Sequence, residues 1–185
     1  RAFAAEHGWT DRVERFWRGG VEIHDDQQAL WQRVLELHGV KEDRPLPTQG
    51  LTAALEKEVL LAVTPEAYAR IVPDYAQEDR AYERLLAHEM VHRLHVSILG
   101  GDEEAMGPTW FYEGFAVVGS GALEGIETAT AQNLSAFKAA KGPGAYAHFA
   151  AALRYYLGCL PLPELVAQAK RSDLDAWLSA RCPAQ

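Results

Sequence analysis

Apolar positions recur at helical spacing through most of this chain, interrupted by two short runs of strand character. Thr10 stands where an N-cap belongs for a helix over Asp11 to Arg18, with Gly19-Gly20 as its stop. Val21-Glu22-Ile23 reads as a short strand. Asp25 is placed to cap a helix running through His38, with Gln28 at the third helical position and Gly39 beyond the end. The stretch Arg44 to Gly50 carries Pro45, Pro47 and Gly50 and reads as a loop. Val59-Leu60-Leu61-Ala62-Val63 is an apolar run of strand length that ends at Thr64-Pro65-Glu66, a helix start.

The longest helical pattern spans Asp79 to Leu99 and stops at Gly100-Gly101. At about 100° per residue, Ala81, Leu85, His88, His92, His95 and Leu99 share one narrow stripe, while Leu86, Met90 and Leu94 form an apolar band opposite. Such a helix is expected to be covered on both sides. Within it, His88, Glu89 and His92 make a His-Glu-x-x-His run. Residues four apart lie one turn apart on one face, so both imidazoles can reach a single cation. Glu89 points elsewhere on the helix and can reach a water beside that cation without ligating it, as a general base must.

A hydrolytic zinc site takes three protein ligands and leaves a position open. The third candidate is Glu113, in the helical pattern Thr109-Trp110-Phe111-Tyr112-Glu113-Gly114-Phe115-Ala116 that follows Pro108. A carboxylate among Trp110, Phe111, Tyr112 and Phe115 is costly to bury unless a cation compensates it. The two motifs together resemble the gluzincin metallopeptidases, in which a His-Glu-x-x-His helix is followed at similar distance by a helix carrying Trp-x-x-Glu-Gly-x-Ala. Trp110, Glu113, Gly114 and Ala116 match that second pattern, and the resemblance extends from Val59 to Leu157.

The resemblance implies a zincin-like fold of α+β class, mostly α, with a small N-terminal mixed sheet, an active-site helix and a helical C-terminal part. It implies Zn²⁺ held by His88, His92 and Glu113, and a peptide bond hydrolysed by a metal-activated water with Glu89 as general base. Substrate in such enzymes pairs with the edge strand of the small sheet, a part assigned here to Val59 to Val63. An oxyanion donor is expected beyond the third ligand. Tyr146 is the first candidate, closer to Glu113 than the corresponding tyrosine in aminopeptidase-like members; His148, Tyr155 and Tyr156 are the alternatives.

Beyond Glu113 the pattern is wholly helical, over Ile126 to Lys141, Ala145 to Leu157, Pro163 to Arg171 and Asp173 to Arg181, the last with Ser172-Asp173 as its cap. His95 continues the ligand stripe but lies about 4.5 Å further along the axis than His92, so it is expected in the core or behind the ligands. The metzincin arrangement, with a third histidine, needs a glycine turn that Arg93-Leu94-His95-Val96 lacks. Peptide deformylases take their third ligand from an upstream cysteine, whereas Cys159 and Cys182 both lie downstream. Asp102, Glu103 and Glu104 read as a solvated turn, one of whose carboxylates could orient a ligand imidazole, and the Arg44 to Gly50 loop is expected near the cleft.

At 185 residues, 48% hydrophobic and with five Trp, the chain is read as one domain, with residues 1–78 as a lobe of helices and sheet and 79–185 as the metal-binding helical lobe. No uncharged apolar run reaches the roughly 18 residues that span a bilayer. A net charge of -8 and no basic patch argue against a nucleic-acid partner. Arg1 in first place reads as a processed terminus. A Cys159–Cys182 disulfide, bracketing the last two helices, would fit a secreted or periplasmic enzyme, with two free thiols in the cytoplasm as the alternative. The expected function is a zinc-dependent peptidase acting on a peptide or protein. A non-catalytic binding domain of the same fold and a zinc hydrolase of a non-peptide amide or ester are the rivals. Retention of Glu89 beside all three ligands favours catalysis, and the absence of a Gly-x-Met-x-Asn-type run tilts towards an endopeptidase.

Overall fold

A computed structural model describes residues 1–16, 20–42, 44–47, 50–77, 79–123, 125–142 and 144–183. The chain is α+β and mostly helical, with a small mixed three-stranded sheet. In order come α1 (Ala2–Glu6), α2 (Thr10–Phe16), β1 (Val21–His24), α3 (Gln27–Leu37), β2 (Ala53–Glu56), β3 (Val59–Val63), α4 (Pro65–Ile71), α5 (Pro73–Ala76) and α6 (Ala81–Ile98). A short 3-10 turn (Glu103–Met106) leads to α7 (Thr109–Ser120), α8 (Leu134–Lys138), α9 (Ala145–Leu157), α10 (Leu162–Gln168) and α11 (Leu174–Arg181). The far end of the helix expected over Asp11 to Arg18 falls outside the described residues.

Local chemistry accounts for several starts. Asp26, one residue later than expected, caps α3 by accepting from the Ala29 amide at 2.8 Å. Thr64 caps α4 with Pro65 at its first position. At α11 the expected cap fails: Asp173 stands at the N-cap, but both its oxygens are taken by the Arg171 guanidinium at 2.8 and 2.9 Å. The helix expected over Ile126 to Lys141 shrinks to Leu134–Lys138, since the chain turns at 131–133 and the Asn133 side chain accepts from the Thr130 amide at 2.8 Å.

The sheet order is β1-β3-β2, with β1 parallel and β2 antiparallel to β3. This corrects the expectation for Val59 to Val63. That run is the central strand, bonded on both sides, and its near-complete burial is the reason it is apolar on both faces. One edge belongs to β2, which the sequence pattern did not reveal. Val63 donates to the Thr52 carbonyl at 2.9 Å, so Ala54 and Glu56 pair inward while Ala53 and Leu55 turn their backbone groups to the free side. Both ends of the stretch expected near the cleft lie against α3: Trp31 Nε1 donates to the Arg44 carbonyl at 2.8 Å, and Gly50 lies against Gln27.

Helix α6 runs along the β2–β3 hairpin. The Tyr82 hydroxyl donates to the Val63 carbonyl at 2.6 Å at one end, and Arg93 pairs with Glu58 at 3.2 Å at the other. From Val91 to Ser97 most of α6 is buried, but Met90, in the band expected to be covered, is 42% exposed. One hydrophobic cluster joins Leu61 and Val63 to α3 and α4; a larger one joins α6, α7 and α9 to the C-terminal helices. Cys159, beyond α9, is bonded to Cys182 at the end of α11.

Candidate metal centre

Helix geometry brings His88 and His92 to one face of α6, and α7 carries Glu113 up to them. The Nε2 atoms of His88 and His92 are 3.0 Å apart, and they lie 3.2 and 3.4 Å from Glu113 Oε2. Three ligand atoms on a tetrahedron around zinc, at bonds of about 2.0–2.1 Å, would be roughly 3.3 Å apart, so the set fits a divalent cation of that size. The group could hold a metal ion. All three side chains are mostly buried, at 14–18% exposure.

Electrostatics favour a charged Glu113. Burial alone would raise its carboxyl, but hydrogen bonds from His88 and His92 outweigh it and hold the group down at about 2. For His92, burial works against protonation, yet the Glu113 hydrogen bond and the Glu89 and Glu113 charges raise its pKa. Among the described residues, no hydrogen-bond partner reaches its Nδ1. The turn residues Asp102, Glu103 and Glu104 are all exposed and do not supply one.

Glu89 lies beside the ligands, half-buried, and desolvation is the main cause that lifts its carboxyl above the ordinary range, with Glu113 and Glu56 adding to it and the two histidines opposing. Tyr146, at the start of α9, sets its ring edge-on to His88 at 5.8 Å and is 42% exposed. Desolvation, then the Glu113 and Glu89 charges, keep its hydroxyl protonated well above the usual tyrosine range. The other oxyanion candidates lie elsewhere. His148 packs tilted against Phe137 at 4.3 Å and Tyr156 packs on Trp110 at 5.7 Å, with Tyr155 edge-on to Tyr156.

Three further side chains act on the site without having been foreseen. Tyr112 sets its ring 5.9 Å from His92, Tyr75 of α5 is close enough to Tyr146 to act on it electrostatically, and Glu56 of β2 does the same to Glu89. Tyr112 was legible in principle, one residue before Glu113. Glu56 and Tyr75 were not, since tertiary packing alone brings β2 and α5 to α6.

His95 turns away from the ligands. It is fully buried, stacked on Phe115 at 4.4 Å, and neither ring nitrogen has a hydrogen-bond partner among the described residues. No helix among the described residues is long and apolar enough to cross a membrane. Comparison with protein-family models, with curated proteins and with solved structures finds no match for this chain.

Proposed function

We propose that this protein is a zinc-dependent peptidase with a zincin-like fold of the gluzincin kind. The observation that carries the reading is the convergence of His88, His92 and Glu113 on one point with Glu89 beside it. Zinc held there would supply Lewis acidity, polarising a carbonyl and easing deprotonation of water. Glu89, with its raised pKa, accepts a proton from the attacking water and returns it to the leaving amine. Tyr146, kept protonated, donates a hydrogen bond to the oxygen on which negative charge develops. The outward backbone groups of Ala53 and Leu55 hold an extended peptide by strand pairing, a contact that a small ester would not need. The Cys159–Cys182 bond suits an oxidising, extracytoplasmic compartment.

The test is metal analysis joined to cleavage of an unbiased peptide library. Zinc-reconstituted protein is expected to hold about one ion per chain and to cut peptides. Glu89→Gln should keep zinc and fold while losing about 10²–10⁴-fold in kcat. Tyr146→Phe should lower kcat with KM little changed. Absence of stoichiometric zinc would overturn the metal site. An intact metal site with no cleavage of any peptide would leave the fold reading and remove the peptidase.

A further inference from the structure

Lys57 and Glu58 are adjacent non-glycine residues in left-handed backbone, at φ 45° and 72°. Glu56 pairs with Val59, so these two residues form a two-residue hairpin turn between β2 and β3. Turns of this length want positive φ at both central positions and are normally built from Asn-Gly or similar pairs, because a Cβ carries a steric cost there. The sequence nevertheless places charges at the tip, and each of them is used. Glu56 pairs with His38 at 2.7 Å, the Lys57 ammonium donates to the Leu37 carbonyl, and Glu58 pairs with Arg93 at 3.2 Å. Arg93 follows the candidate ligand His92 directly, stands one turn beyond Glu89, and its side chain is only 14% exposed. An Asn-Gly turn would close the hairpin without strain, but it could not reach α6.

We propose that Glu56-Lys57-Glu58 is a positioning clamp, in which the Glu58–Arg93 pair ties the edge strand β2 to the metal-binding helix in fixed register. The clamp holds the free backbone groups of Ala53 and Leu55 at a set distance from His88 and His92, so a peptide paired to β2 arrives with one carbonyl at the metal centre. Glu58 and Arg93 touch no reacting atom and act through β2. This inference rests on the peptidase reading above and adds to it which residues set the strand's position.

The test compares two probes on zinc-loaded protein: acetohydroxamate, which needs only the metal, and a tripeptide hydroxamate, which also needs the strand. Lys57→Asn/Glu58→Gly relieves the turn strain while cutting two tethers. Glu58→Asn alone, in which Asn tolerates the left-handed backbone, is the milder variant should the double one fold poorly. Both are expected to keep zinc and acetohydroxamate affinity, while the double variant loses about tenfold in affinity for the tripeptide hydroxamate and the single one loses less. A merely structural turn predicts no loss, since the new turn is better formed. Unchanged tripeptide affinity, or equal weakening of both probes, would overturn the clamp. Wild-type protein that binds the tripeptide no tighter than acetohydroxamate would retire strand pairing itself, and the clamp with it.

Discussion

Three histidines on one stripe of α6 meet different surroundings. His88 and His92 face Glu113, whereas His95, one turn beyond Val91, is sealed against Phe115 with no hydrogen-bond partner for either ring nitrogen among the described residues. Burial, with a smaller push from His92, lowers the His95 pKa to about 3. The folded protein therefore keeps His95 neutral where the unfolded chain protonates it near the ordinary value of about 6.5. The neutral-state stability is complete above that value and is lost as pH falls towards 3, by an amount on the order of 4–5 kcal/mol if no other group compensates. His95→Phe should flatten this acid dependence. Denaturant midpoints in chelator between neutral and acid pH would show it, and an unaltered slope in the variant would assign acid sensitivity to other groups.

Among the elements, α6 carries His88, Glu89 and His92, while α7 and α9 bring Glu113 and Tyr146 to them. α7 and α9 pack closely at Gly114, where an added Cβ would lie 2.7 Å from the Phe149 carbonyl oxygen and 3.1 Å from its carbon. Backbone cannot rotate away as a side chain can. Gly114→Ala should therefore destabilise by about 1–3 kcal/mol despite alanine's better helix propensity, and should weaken zinc binding by moving Glu113. A denaturant midpoint at or above wild type would show that the helices separate freely. The helices themselves were largely legible: Ala145–Leu157 matches the periodic pattern, α6 lies within two residues of it, and α7 starts at Thr109 as expected but runs on to Ser120, four residues past the Ala116 that closed the pattern. Strand β2 was not, for two reasons. Its Ala-Ala-Leu-Glu run lacks alternation, and the Lys57-Glu58 turn lacks the glycine or asparagine by which hairpins are recognised.

Across the molecule, two apolar clusters meet along α6, and the disulfide closes the end of the larger one. Cys182 is 6% exposed and belongs to that cluster, so the bond joins α11 to packing that already holds it near α9. In the chain-entropy picture a loop of this size is worth about 3 kcal/mol. Cys159→Ala/Cys182→Ala should lower stability by about that amount. Zinc content should not change, because no candidate ligand lies between the two cysteines. Thermal melting with parallel metal analysis would check both, and loss of zinc in the variant would tie the C-terminal helices to the site. Intact-mass measurement after alkylation of freshly isolated protein reads the bond directly.

The candidate ligands and base were readable from the sequence because His88, Glu89 and His92 are neighbours on a single helix, where spacing alone decides which side chains share a face. Glu113 needed one more inference, that a carboxylate among aromatic residues requires compensation. Tertiary structure alone decided which strand is the edge, that Glu56 and Tyr75 act electrostatically on Glu89 and Tyr146, and that Tyr146 rather than His148 lies beside His88. Those facts depend on how separate elements pack, and the periodicity of one element records which of its faces is buried but not which partner buries it.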